Sequence, residues 1–284
     1  MGLDATVLCN CYREGKTSDL PFPLSWIELD EEGYYGLKTE YDSNDNYFKY
    51  HKWEYDCCSH AQMEYADVRI GNWPMVRIFQ AALEKIGWNN FTVLRVQIPN
   101  ANGGLTSSDD SSKARSELEF FESIEQVGSK AVLVDTSTGE ELYENIAAYN
   151  GVFVLSNNPR INIGISDEDL FVVDSDSGKA LFRAKRVRQF LKNGDEVSGN
   201  RDDIIWKNLE TGTLYNPGVA IHGRQIPWED GEMQNSEGKN RFIYPSEFHV
   251  EQRSQLASEF EYIVHALKTV FRASVETGNP VRWC

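Results

Sequence analysis

The chain has 284 residues, 44 acidic against 28 basic side chains, and a formal net charge of -16. At 40% apolar and 25% charged residues it can bury a sizeable core, as one large body or two ordinary ones. The carboxylate surplus argues against nucleic acid and anionic membranes as partners and favours a cationic one. No stretch approaches the roughly 18 apolar residues of a membrane span.

Residues 3–12 alternate as a strand, with Leu3, Ala5, Val7, Cys9 and Cys11 on one face. Gly15, Pro21 and Pro23 make 13–25 a loop. In 26–56, rings from Trp26 to Tyr55 are interleaved with acids from Glu28 to Asp56, and a short helix would bury some of Tyr47, Tyr50, Trp53 and Tyr55. Pro74 opens a helix over 73–87, with Val76, Phe79, Leu83 and Ile86 at helical spacing. A strand is expected over 91–98, a mobile polar loop over 100–112, and a helix over 113–127 that buries Leu118, Phe121 and Ile124.

Three polar turns then echo one another: Val134–Gly139, Val173–Gly178 and Leu209–Gly212, each followed by a leucine. They read as hairpins. Loops are expected at 193–203 and 229–241. Ser246 is placed to cap a helix running to Thr277, striped by Leu256, Phe260, Ile263, Val264, Leu267, Val270 and Phe271. Gly278 and Pro280 end it, and the tail 281–284 is apolar enough to pack back on the body. Strands in consecutive runs indicate an α+β fold: an antiparallel sheet of hairpins packed with a few helices, including a long C-terminal one. A single contiguous domain over 1–284 is expected; the alternative is a division near 128–150.

Five cysteines, an odd number, with no secretory leader pattern point to reduced thiols and a cytoplasmic setting. Cys9-x-Cys11 and Cys57-Cys58-Ser59-His60 could unite Cys9, Cys11, Cys58 and His60 as a Cys₃His zinc site if the loop folds back onto the first strand. Otherwise Cys9 and Cys11 are small core residues. A third reading makes Cys57 or Cys58 a nucleophile activated by His60. Asp174-x-Asp176-x-Gly178 lacks the later ligands of a calcium loop. His222-Gly223-Arg224 reads first as a surface loop; alternatively, with Tyr215 and Asn216, it could receive an anion. Arg183, Lys185, Arg186 and Arg188 read as local charge balance or an edge-strand guard. No phosphate-binding loop, dinucleotide fingerprint, zinc-protease helix, nucleophile elbow or kinase motif set is present.

The segments Met1–Cys11 and Thr277–Cys284, with Arg69–Asn72 and Leu181–Arg183, resemble an uncharacterised group of bacterial proteins. The resemblance implies a bacterial, cytosolic origin and transfers no functional residue. Taken together, the residues suggest an acidic binding protein that docks and inhibits a basic protein partner, as an immunity protein neutralises a cationic toxin domain. Trp26, Asp30, Glu31, Glu32, Tyr34 and Tyr35 would form its contact surface, because rings supply contact area and carboxylates steer encounter. The alternative is a zinc- or thiol-dependent hydrolase built on Cys9, Cys11, Cys58 and His60, with His222 and Arg224 nearer the substrate.

Overall fold

The computed structural model describes residues 2–30, 33–155, 159–198, 202–225 and 242–284. The loop expected at 229–241 and part of that at 193–203 lie outside the described residues. In chain order come β1 (Gly2–Leu8), β2 (Ile27–Leu29), β3 (Tyr35–Leu37), α1 (Asn44–Asp56), β4 (Glu64–Asn72), α2 (Trp73–Ile86), α3 (Leu94–Gln97), β5 (Leu105–Thr106) and α4 (Ser108–Glu122). Then follow β6 (Gln126–Asp135), β7 (Glu141–Glu144), β8 (Val152–Leu155), β9 (Ile161–Ile165), β10 (Leu170–Asp174), β11 (Ala180–Ala184), β12 (Arg186–Leu191), β13 (Ile204–Asn208) and β14 (Leu214–Tyr215). The chain ends in β15 (Glu247–Leu256), α5 (Glu261–Thr277) and β16 (Val281–Trp283). The fold is α+β with antiparallel sheets and a long C-terminal helix. It divides into two units, Met1–Gly128 with Leu256–Cys284, and Ser129–Gln255.

In the first unit the sheet order is β4-β1-β16-β5. Leu3, Ala5 and Val7 of β1 join Val281 and Trp283 of β16 in one core with Phe79, Leu83, Phe121, Leu267 and Phe271 of the helices. Burial of each large apolar side chain contributes about 1.5–3 kcal/mol. The two-residue period turns the intervening Thr6 and Arg282 to the opposite face. There Leu8, Cys9, Cys11, Ile27, Tyr50, Trp53, Cys57 and Met63 form a second cluster. Asn72 caps α2 by accepting from the Met75 N–H at 2.9 Å, with Pro74 in the first turn. Gly278 ends α5 at φ +72°, a left-handed conformation that suits glycine.

In the second unit two antiparallel sheets, β11-β10-β9-β8 and β14-β13-β12-β15-β6-β7, contribute to one core around Trp206, Phe248, Leu133, Ile163 and Val172. The three expected hairpins are β6–β7, β10–β11 and β13–β14.

Four expectations are corrected. The first strand stops at Leu8, so Cys9 and Cys11 lie in the turn beyond it, where the Cys9 N–H donates to the Met63 carbonyl. Residues 91–98 hold a single helical turn, α3, because the distant Glu117 carboxylate accepts from the Val93 and Leu94 N–H groups. α4 begins within the expected loop at Ser108, capped by Ser107, and its Ser111 is buried against Ser274. Ser246 precedes a strand: β15 pairs with β12, matching Phe248 with Val187, and only the later part of the apolar stripe is α5.

Asn279 fixes the chain's end to its beginning. Its side-chain amide donates to the Leu8 carbonyl at 2.6 Å and to Asn10 Oδ1 at 3.1 Å, and its own carbonyl accepts from Ser274 Oγ. Asn279→Ala leaves buried acceptors unpaired and should cost about 1–3 kcal/mol. Urea unfolding checks this; an unchanged midpoint would contradict the role.

Candidate functional site

Where β1 ends, the chain turns through Cys9, Asn10 and Cys11, and Cys57 and Cys58 follow directly on the end of α1 at Asp56. The Ser18 N–H donates to the Cys57 carbonyl at 2.7 Å, tying the loop after the turn to the end of α1. The ligand atoms of Cys9, Cys11, Cys58 and His60 all lie within 4.8 Å of one another, so the group could hold a metal ion. Cys9 Sγ is 3.9 Å from Cys58 Sγ, and His60 Nδ1 is 3.4 Å from Cys11 Sγ and 4.0 Å from Cys58 Sγ. A tetrahedral ion with metal–sulfur bonds of about 2.3 Å separates its donors by about 3.8 Å. The observed spacings bracket that edge.

Burial pushes the Cys9 and Cys57 thiols up to about 12 and raises Cys11 as well. Without a metal these thiols are protonated and poor nucleophiles; an ion held by Cys9, Cys11, Cys58 and His60 would displace the protons of its thiol ligands. After His60 the backbone passes through Gln62 at φ +54° and Met63 at φ +56°. Left-handed conformations of this kind cost about 1–2 kcal/mol per residue. Met63, 1% exposed and bonded through its carbonyl to Cys9, holds the loop in that path.

Beside the cluster lies a cleft of about 640 Å³, formed wholly within the first unit. Its lining includes Tyr34, Tyr35, Tyr47, Tyr50, His51, Glu54, Tyr55, Glu64 and Arg282. α1 supplies one wall: Ser43 caps it, Tyr50 and Trp53 turn inward, and Tyr47, Phe48 and Tyr55 remain exposed. The Trp53 indole donates to the Ser18 carbonyl at 3.1 Å, and the Tyr50 hydroxyl donates to the Tyr35 carbonyl and lies 3.0 Å from Glu54. The other Glu54 oxygen is 3.0 Å from His51 Nδ1. Arg282, only 2% exposed, donates to Thr6 and Glu64, and its guanidinium carbon lies 3.5 Å from the centre of the Tyr34 ring. Burial, with a contact to Cys284, raises the Tyr34 hydroxyl to about 12.

Of the residues expected to meet a partner, Tyr34 and Tyr35 line this cleft. Trp26 is half-buried, stacked between Phe22 and Tyr41. Asp30 is exposed and closes the β2–β3 turn by accepting from the Tyr34 N–H at 2.8 Å. Glu31 and Glu32 lie outside the described residues. Sequence reading missed Glu54, Glu64 and Arg282 as one constellation. Glu54, His51, Tyr47 and Tyr50 share the i, i+3, i+4 spacing of one helix, which was a usable signal; the approach of Glu64 and Arg282 had none.

The remaining sequence candidates belong to the second unit. His222 lies 3.2 Å from the Tyr143 hydroxyl, with its ring against Phe242. Arg183 pairs with Asp169 at 3.2 Å. Asp174 accepts from the Ser177 N–H and hydroxyl, as a turn residue does. His249 lies on β15 beside Thr136 and Glu251. Among the described residues, no helix is long and apolar enough to cross a membrane.

The segments at the two chain ends and at Arg69–Asn72 meet in the first unit, on β1, β16 and β4. Comparison of the chain with family models, with curated proteins and with solved structures finds no match.

Burial raises Glu54 above the usual carboxylate range, against opposing hydrogen bonds from Tyr50 and the nearby charges of His51 and Arg282. It also raises Glu64, where the Asp67 charge adds to the effect and Arg282 opposes it. A raised carboxylate pKa means that the folded protein binds the proton more tightly than the unfolded chain. Ionisation therefore subtracts stability above the folded value, and that loss is relieved as pH falls through it. Glu54→Gln should be at least as stable as wild type near about pH 7.5, with its advantage gone by about pH 4. Urea midpoints at the two pH values check this; a variant that is weaker only at the higher pH reverses the sign.

Proposed function

We propose that this protein is a zinc-clamped docking module that binds, and by binding blocks, a basic protein partner through its acidic, tyrosine-rich segment. One observation carries the reading. The four ligand atoms converge just beyond the end of α1, the helix that carries the ring-and-carboxylate wall. A metal there fixes the recognition helix against the end of β1.

Three thiols and an imidazole suit zinc, and four protein donors complete a tetrahedral shell with no position left for water. That arrangement supports a structural ion in preference to a zinc-dependent hydrolase. Burial of Cys57 gives little support to that residue as a nucleophile, since it disfavours the reactive anionic form. His222 and Arg224 belong to the other unit. The net charge of -16 supports a cationic partner, whose encounter it would accelerate at low salt. Reduced thiols and bound zinc both suit the cytoplasm.

Purified protein should contain one zinc per chain by elemental analysis. Cys58→Ser and His60→Ala should each lose most of that zinc and lower the thermal midpoint, as a chelator should with wild type. A metal-free protein that melts as before, with or without chelator, would remove the clamp. Separately, a synthetic Lys/Arg-rich peptide should bind about tenfold or more tightly at low salt than at about 0.3 M. Absence of binding at low salt would end the docking reading.

A further inference from the structure

We infer that the cleft beside α1 is a socket for one guanidinium or ammonium group carried on a side chain of the basic partner. The inference rests on the docking reading and names its anchor.

Three features select a cation. First, Asp42, Glu54 and Glu64 contribute three carboxylates, and Arg282 is the one Lys or Arg among the described lining residues. An incoming carboxylate or phosphate would meet net negative charge, and a purely apolar group would bury carboxylates without pairing them. Second, the walls are aromatic. Tyrosine faces attract cations, and Tyr47 and Tyr55 remain 49% and 61% exposed at the rim. Third, the fold already solves the same recognition problem once. Arg282 sits with its guanidinium against the Tyr34 ring and its Nη2 at 3.0 Å from Glu64. Glu54 lies in the same cleft, paired with His51 at 3.0 Å, and among the described residues no arginine or lysine forms a salt bridge with it. A second cation beside Glu54, against Tyr47 and Tyr55, would repeat the Arg282 arrangement toward solvent.

The socket is also prearranged. The Tyr50 hydroxyl is shared between the Tyr35 carbonyl and Glu54, which fixes that carboxylate before any ligand arrives. Holding a desolvated carboxylate ready lowers the ordering penalty on binding. At about 640 Å³ the cleft admits an arginine side chain together with its flanking peptide.

The test uses the full chain, Nα-acetyl-L-arginine amide, and its neutral isostere, the citrulline amide, followed by NMR shifts or calorimetry at low salt. The arginine probe should bind with a dissociation constant of the order of a millimolar, and the citrulline probe about tenfold or more weakly. Tyr47→Ala and Glu54→Gln should each weaken the arginine probe about tenfold, with thermal midpoints no lower than about 2 °C below wild type. Equal binding of the two probes, or binding of neither, overturns the socket. So does a Lys/Arg-rich peptide that binds both variants as well as wild type, although the docking reading would then stand. Arginine-probe binding that is sensitive to both substitutions, in a protein that ignores the peptide, keeps the socket and discards the docking reading.

Discussion

Strand β16 lies between β1 and β5, and its register sets Arg282 opposite Thr6. The alternation of a pleated strand then does two things at once. Val281 and Trp283 enter the helix-covered core, while Arg282 is carried to the other face. A guanidinium only 2% exposed needs compensation, and it finds Thr6, Glu64 and the face of Tyr34. These partners come from β1, from the first residue of β4 and from the residue just before β3. The cleft is therefore built around a buried charge that the sheet register places there.

The turn beyond β1 depends on the same pairing. Asn279 binds the Leu8 carbonyl and Asn10, which holds the Cys9–Cys11 turn against the end of α5. On its other side that turn meets Cys58 and His60. The loop reaches it through two consecutive left-handed residues, Gln62 and Met63. Strain of this kind persists where the surroundings over-determine the backbone. Here the buried Met63 side chain and the Cys9–Met63 hydrogen bond do so, and a bound metal would add to them.

The acidic surplus does two different jobs. Asp135 and Asp174 close hairpin turns. At Asp135, burial is outweighed by hydrogen bonds from Ser137 and Thr138, and at Asp174 the Ser177 hydroxyl leads; both carboxyls lie below the usual range. These acids favour the folded state at neutral pH, and that contribution fades as pH falls through their depressed values. Glu54 and Glu64 are shifted the opposite way by burial. Carboxylates raised in pKa while lining a cleft fit the docking proposal. Net charge alone cannot separate the two classes, because both count as minus one.

Local chemistry determined much of this protein directly. The three hairpin turns, the helix opened by Pro74 and the stop at Gly278 are written in side chains that act within a few residues of themselves. The Cys-x-Cys and Cys-Cys-Ser-His spellings named the four potential ligands, since only a few residue types bind soft metals. Tertiary structure decided the rest. Glu117 turned 91–98 into a helical turn by capping it from more than twenty residues away. Pairing with β12 made 247–256 a strand despite the helical stripe that follows it. Arg282, Glu64 and Glu54 became one site through strand register and helix packing. Such long-range encounters leave no periodic trace in the chain, because each residue satisfies its own local pattern whether or not the others arrive.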